Sequence, residues 1–178
     1  MSRQPSPANW SFPVVVADLP DDGQHFDLSA DPVAREAIAA AAGLRGIGAL
    51  NAAFDVVRHG AGVQVSGEVT ATVGQACVVT LEPIENEVRE AVDLLYMPSD
   101  LADAPRRKKS EDPPEPLVDG VIDLGAVATE FLLLGIDPYP RKPGAAFEVA
   151  GVEEPETARD NPFKALEALK KPPGTDLK

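Results

Sequence analysis

The sequence contains few of the residues from which metal and catalytic sites are built. It has one cysteine, Cys77, and two histidines, His25 and His59, among 178 residues. A structural zinc site usually needs four Cys or His ligands at short paired spacings, so these three scattered side chains predict no metal site. A single cysteine cannot form an internal disulfide, which fits a reducing compartment. We therefore expect a cytoplasmic protein without a metal or another cofactor.

Sequence motifs of the common enzyme classes are missing as well. The chain has no phosphate-cradling glycine loop, no nucleophile elbow and no pair of Cys-x-x-Cys knuckles. Carboxylates are spread along the whole chain, so no pair stands out as a general acid and base. One enzyme hypothesis stays open, a small thiol enzyme in which His59 activates Cys77. Because cysteine is among the most often buried residue types, the sequence favours a packed, inert Cys77 and a protein that is not an enzyme.

Positive charge is scarce. Sixteen Lys and Arg against 29 Asp and Glu leave a formal charge of −13. A phosphate-binding surface needs clustered Lys and Arg to displace counterions, so this balance disfavours tight nucleic-acid binding and favours a basic protein partner. A basic run at residues 106–109 and the pair Arg141 and Lys142 keep direct RNA binding open as an alternative. Glu111 and Asp112 follow the run closely and screen it.

Long apolar runs are also absent, and prolines divide the chain. No stretch reaches the ~18–20 apolar residues of a membrane span, and residues 1–12 do not read as a secretory signal. Proline blocks helix interiors and removes a backbone donor, so its clusters predict unpacked segments. We expect a disordered start at residues 1–9, one domain at residues 10–136 with a mobile acidic, proline-rich loop at 98–117, and a proline-rich extended tail at 137–178. A short amphipathic helix beginning near Asn161 either docks on the domain or folds on a partner.

Within the domain, apolar residues that alternate with polar ones predict strands. The clearest alternation covers residues 63–73, after a hairpin turn at residues 59–62. Pro13 favours an edge position for the first strand, since proline cannot donate to a ladder. Residues 87–97 fit a helix as well as a strand, and the hairpin-rich neighbourhood decides for a strand. The predicted strands are residues 10–17, 25–28, 46–57, 63–73 and 87–97.

Two segments have the signature of helices. Asp31 before Pro32 is a helix start, and Gly43 is a natural stop. Asp123 caps a second apolar stripe at helical spacing, which Gly135 ends. We therefore expect an α+β domain, in which antiparallel strands between residues 10 and 97 form a bent sheet or a partly open β-barrel covered by the two helices.

The turn after the alternating strand resembles a known signature. The YceD family carries Cys, any residue, Arg, Cys, Leu, any residue and Pro. In this chain Cys77, Leu81 and Pro83 match the first cysteine, the leucine and the proline, while Val79 replaces the arginine and Thr80 the second cysteine. These two departures remove the zinc-ribbon or redox role that paired cysteines invite.

Four further segments are similar to an alphaproteobacterial branch of that family. They are residues 10–14, 123–134, 137–144 and 161–166. The resemblance implies a role in the accumulation of the large-subunit (23S) ribosomal RNA, and hence in ribosome biogenesis, without an established enzyme activity or cofactor. Because the chain is acidic, we expect a basic ribosomal protein or assembly factor of the large subunit as the partner, and an indirect effect on the rRNA.

The resemblance also points to a docking surface made from the 81–83 turn and the 137–144 segment. Tyr139, Pro140 and Arg141 offer an aromatic face, a stiff φ and a cation in a stretch without helical or strand period, as a recognition element requires. The alternative is that Tyr139 only pins the tail to the sheet. The predicted binding residues are Cys77, Leu81, Glu82, Pro83, Asp137, Tyr139, Pro140 and Arg141.

Overall fold

The computed structural model describes residues 10–98 and 113–146. In these ranges the elements are β1 (Pro13–Val15), β2 (Gln24–Ser29), α1 (Pro32–Ala42), β3 (Gly46–His59), β4 (Gly62–Ala76), β5 (Pro83–Pro98), β6 (Glu115–Leu117), β7 (Val121–Asp123) and α2 (Leu124–Gly135). The predictions for residues 1–9, 99–112 and 147–178, including the basic run at 106–109 and the amphipathic helix near Asn161, lie outside the described residues. Neither α1 nor α2 is long and apolar enough to cross a membrane.

Five of the strands form one open sheet in the order β2-β3-β4-β5-β6. The pairs from β2 to β5 are antiparallel, and β6 runs parallel to β5. The α+β class is therefore confirmed, but the sheet is mixed rather than antiparallel throughout. A parallel neighbour needs a long return connection, which the residues between Pro98 and Glu115 provide. In the part of the chain that the structure describes, the outer strands β2 and β6 do not pair with each other, so the sheet is not closed into a barrel.

One face of the sheet forms the core. Residues that pair across strands share a face, and the register gives rows of Phe54 with Gly67 and Val92, and of Leu50 with Ala71 and Val88. A side chain at Gly67 would overlap the backbone carbonyl of Ala53, so the close approach of β3 and β4 requires glycine there. Helix α1 packs against β3, and α2 packs against β5 and β4. Both helices contribute to the same buried cluster, through Ile38 and Leu132 among others.

The other face of the sheet is polar and largely exposed. Arg89 bonds Glu68 across β4 and β5 at 2.9 Å. His25 contacts Asp55 at 2.7 Å and Asp27 at 3.3 Å, and these two carboxylates raise the pKa of its imidazole, Asp55 more strongly than Asp27. The acidic residues on this face are Asp27, Asp55, Glu68, Glu85, Glu87 and Asp93.

The helix boundaries follow the predicted caps with one difference. The Asp31 carboxylate accepts the backbone N–H of Ala34 at 2.7 Å, and Gly43 takes a left-handed φ of 67° after the last turn. The Asp123 carboxylate accepts the N–H of Ala126 at 3.1 Å. Gly135 is the last residue of α2, as predicted, but the residue that caps this end is Ile136, with an extended backbone, rather than a left-handed glycine.

The strand predictions differ from the structure mainly at both ends of the domain. The segment at residues 87–97 is a strand, and β5 begins earlier, at Pro83. The first strand is shorter than predicted and lies outside the main sheet, because among the described strands β1 pairs only with β7, and a 3-10 turn follows at Val16–Asp18. The prediction of a mobile loop at 98–117 included Glu115–Leu117, which instead forms β6 and pairs with Tyr96, Met97 and Pro98.

Candidate functional site

The turn that resembles the family signature joins β4 to β5. Six residues, 77–82, separate the last paired residues of the two strands, Ala76 and Pro83. The N–H of Leu81 donates to the Cys77 carbonyl at 2.8 Å, and the N–H of Cys77 donates to the Glu82 carbonyl at 2.9 Å. Leu81 has a φ of 61°, a left-handed conformation that is costly for a residue with a Cβ, and its side chain is 76% exposed. The turn thus holds an apolar side chain in solvent with a strained backbone.

The segment after α2 is bonded directly to this turn. The N–H of Val78 donates to the Pro140 carbonyl at 2.9 Å, and the Lys142 ammonium lies 2.9 Å from the Glu82 carboxylate. That ammonium lowers the pKa of Glu82, first by its hydrogen bond and then by its charge. A hydrogen bond within the segment also fixes its conformation, because the N–H of Tyr139 donates to the Asp137 carboxylate at 2.8 Å. The two parts that the sequence predicted as one surface are therefore in contact.

Cys77 is the junction of the two parts. Its side chain is 0% exposed, which confirms the predicted burial. Its sulfur accepts the backbone N–H of Lys142 at 3.3 Å and that of Thr80 at 3.4 Å. These bonds, the one from Lys142 foremost, lower the pKa of the thiol from 9.0 to about 6, against the opposing effect of burial. The sulfur is held as a hydrogen-bond acceptor between the turn and the segment.

The structure does not bring together the residues of the thiol-enzyme hypothesis. His59 ends β3 and Cys77 follows β4, so the two residues flank opposite ends of the fifteen-residue β4. At about 3.3 Å per residue, roughly 45 Å separates them. Within residues 10–98 and 113–146, no group of three or more His, Cys, Asp or Glu side chains is arranged to hold a metal ion.

Gln75 is a site residue that the sequence reasoning missed. It is only 8% exposed, its amide nitrogen donates to the Asp137 carbonyl at 2.8 Å, and its amide oxygen accepts from the Asn86 side chain at 2.8 Å. A signal for it is present in the sequence. Val69, Val73 and Gln75 share one face of β4, so a polar residue stands where the alternation requires an apolar one. A buried amide needs partners, and here the partners are β5 and the segment.

The eight predicted binding residues divide by exposure. Cys77 and Pro140 are buried, so their side chains are not available to a partner. The Cys77 sulfur and the Pro140 backbone carbonyl instead accept the hydrogen bonds that join the turn to the segment. Tyr139 is 71% exposed, and Val78, which the sequence reasoning did not select, is 45% exposed. The remaining predicted residues are exposed, namely Leu81, Glu82, Pro83, Asp137 and Arg141.

We call residues 77–83 and 137–144 together the composite surface. Its exposed apolar side chains are Val78, Leu81 and Tyr139, and its exposed charged ones include Glu82 and Arg141. Single exposed apolar residues are common on soluble proteins. Three exposed apolar side chains on two segments that are bonded to each other, with charged residues beside them, are typical of a protein interaction surface with an apolar centre and a polar rim.

By fold and site, the chain is a small acidic α+β protein with an exposed surface built on a strand-joining turn. The family model described as YceD, large ribosomal RNA subunit accumulation protein, matches residues 65–170, which is more than half of the 178 residues. The chain belongs to the YceD family. No curated protein and no solved structure matches it.

Proposed function

We propose that this protein is a non-enzymatic, cytoplasmic factor of ribosome biogenesis. It supports accumulation of the large-subunit (23S) ribosomal RNA by binding a basic ribosomal protein or assembly factor of the large subunit, so that its effect on the rRNA is indirect. The composite surface carries this proposal. Both of its parts lie inside the range matched by the family model, and their exposed residues include Leu81, Tyr139 and charged side chains.

Charge supports a basic partner. The chain has a net charge of −13, and the exposed sheet face carries acids on β2, β3, β4 and β5. Complementary potentials accelerate encounter with a cationic protein and suppress binding to phosphate backbones. Of the cations on the composite surface, Lys142 is already paired with Glu82, which leaves Arg141 as a poor basis for RNA binding.

The proposal is tested by capture of partners from bacterial cells. We expect the tagged wild-type chain to retain a basic large-subunit protein, and the Leu81→Ala and Tyr139→Ala variants to lose most of it and to lower cellular 23S rRNA. Because both side chains are exposed, their melting temperatures should stay within about 2 °C of wild type. Val33→Ala is the matched control, since Val33 is also 76% exposed but lies on α1.

Two results would overturn the proposal. The first is unchanged capture and unchanged 23S rRNA in both surface variants. The second is binding of purified 23S rRNA by the isolated chain with a steep salt dependence, because phosphate contacts release counterions and a protein partner would then be unnecessary. That second result would favour the direct RNA-binding alternative.

A further inference from the structure

Strand β5 has a long edge without a strand partner in the described residues. One edge pairs with β4 from Pro83 opposite Ala76 to Tyr96 opposite Val63. The other edge pairs with β6 only at Tyr96, Met97 and Pro98. Within residues 10–98 and 113–146, no backbone group of residues 84–95 bonds to anything other than β4. Every second residue directs its N–H and C=O outward, so about six residues along roughly 40 Å have backbone donors and acceptors without a partner in the described part of the chain.

Helix α2 does not cover this edge, because it packs on the face of the sheet. It contacts both β5 and β4, and a Cβ at Gly135 would meet the side chains of Val88 and Glu90. Val88 shares the buried face with Leu50 and Ala71. The helix satisfies its own backbone bonds and supplies none to the edge. An unpaired edge of this length is a template for another extended chain.

The charges of β5 indicate which kind of extended chain can pair with this edge. Residues 84–95 contain four acids, Glu85, Glu87, Glu90 and Asp93, and one cation, Arg89, which is paired with Glu68 on β4. A second copy of β5 would bring acids opposite acids, which opposes self-pairing. A strand in which Lys or Arg alternates with apolar residues fits both faces. Its cations would meet Glu85, Glu87 and Asp93 on the exposed face. Its apolar residues would continue the row of Val88 and Val92 on the buried face, where the half-buried Glu90 lies between them and could accept one further cation.

We propose that the free edge of β5 binds an extended basic segment of the partner by strand addition. This inference rests on the proposed function, in which the partner is basic, and it specifies how part of that partner is recognised. Main-chain hydrogen bonds supply affinity, and the alternating cations and apolar residues supply selectivity. The edge begins at Pro83, which is also the last residue of the turn in the composite surface. The two surfaces are therefore continuous, and one partner can occupy both.

The test uses the full chain and a synthetic peptide of twelve residues that alternates lysine with valine. Amide hydrogen exchange, followed by NMR, reads each backbone N–H. In the free protein we expect the outward amides of residues 84–95 to exchange quickly. Saturating peptide should slow their exchange at least about tenfold, while the β2 amides stay unchanged. A Glu85→Gln, Glu87→Gln double variant should bind the peptide about tenfold more weakly, and Glu36→Gln on α1 is the matched control.

A second peptide separates strand pairing from charge. It carries the same sequence with N-methyl groups on alternate residues, so it keeps its cations but cannot donate hydrogen bonds along that edge. We expect it to bind at least about tenfold more weakly and to give no protection in β5. Equal binding of both peptides would overturn the inference, as would protection at another strand or no binding at all. Slow exchange of residues 84–95 before peptide is added would also overturn it, because another segment would then occupy the edge.

These outcomes are separable from failure of the proposed function. If strand addition is wrong but the proposed function is right, the peptide gives no protection while Leu81→Ala still loses the captured basic protein. If the proposed function is wrong, capture and 23S rRNA are unaffected by Leu81→Ala, whatever the peptide does.

Discussion

Replacing Leu81 by glycine should stabilise the fold and weaken partner binding at the same time. Leu81 has a φ of 61° and is 76% exposed, so its backbone is strained while its side chain buries little. Left-handed geometry costs a residue with a Cβ roughly 1–2 kcal/mol. Glycine removes that cost. It also gives the unfolded chain more conformational freedom, which destabilises the folded state by roughly 0.4–1 kcal/mol. The net expectation is a gain of about 0.5–1 kcal/mol, or about 2–4 °C in melting temperature for a domain of this size.

The effect on binding should have the opposite sign. If Leu81 lies at the apolar centre of the composite surface, its truncation should cost about 1–2 kcal/mol of binding free energy, which is about a fivefold to thirtyfold loss of affinity. Leu81→Ala separates the two effects, because alanine removes the side chain but keeps the strain, so it should lose the same affinity without the gain in stability. Calorimetry measures the stability, and titration against the captured partner measures the affinity.

Asp119→Gly is the matched control for the backbone. Asp119 has a φ of 55° and lies in the turn before β7, outside the composite surface. Its replacement should leave binding unchanged. A Leu81→Gly protein that melts below wild type would refute the reasoning, since it would mean that the leucine side chain packs in the folded state. Unchanged affinity in both Leu81 variants would remove this residue from the proposed interface.

Three further predictions concern the interior. The Cys77 thiol, with its pKa lowered to about 6, should show thiolate absorbance above that pH. Lys142→Pro deletes the N–H that donates to the sulfur, so it should raise the titration midpoint of Cys77. Lys142→Ala keeps that N–H and should leave the midpoint unchanged. Because the folded state loses this proton before the unfolded state does, stability should rise from about pH 6 to 9 in wild type and not in Cys77→Ala. Gln75→Ala leaves the Asp137 carbonyl without its donor and should cost about 1–3 kcal/mol in denaturant unfolding. Phe54→Ala empties a fully buried site and should cost about 3–5 kcal/mol.

Each of these predictions has a contrary result. A Cys77 midpoint near or above 9 would show that burial offsets or outweighs the hydrogen bonds to its sulfur. An unaltered unfolding curve for Gln75→Ala would mean that water replaces the amide and that the segment is held by its other contacts. A loss below about 1 kcal/mol for Phe54→Ala would place this side chain outside a tightly packed core.

The elements that local chemistry specifies were predictable from the sequence. Asp31 and Asp123 cap helices because an acceptor side chain next to free N–H groups acts within one turn. Strand β4 was predictable because its alternation is long. Pairings between distant segments were not, since β1 joins β7 through residues more than a hundred positions apart and no local pattern encodes that contact. The same holds for β6, a three-residue strand that exists only through its partner β5.

The candidate site was predictable in its parts and not in its construction. The family resemblance selected the turn and the segment, but, besides the ion pair of Lys142 with Glu82, the bonds that join them are donated by the backbone N–H groups of Val78 and Lys142. Backbone groups are the same at every residue, so the sequence carries no mark of them. For this reason Cys77 and Pro140 were grouped with the binding residues although the structure buries them. Gln75 was the exception, because a polar residue in an apolar alternation is a readable signal.

Negative charge links the composite surface, the edge of β5 and the preference for a protein partner. In the described residues, the edge of β5 at residues 84–95 has no strand partner, which exposes the chain to pairing with copies of itself, and the acids of β5 oppose that pairing. The same acids repel phosphate backbones, which favours an indirect effect on rRNA over direct binding. A basic ribosomal segment is attracted by these acids rather than repelled. Before it joins the ribosome, its own positive charges lack the phosphates that neutralise them there. The negative charge therefore supports the proposed basic partner over a second copy of the chain or an RNA.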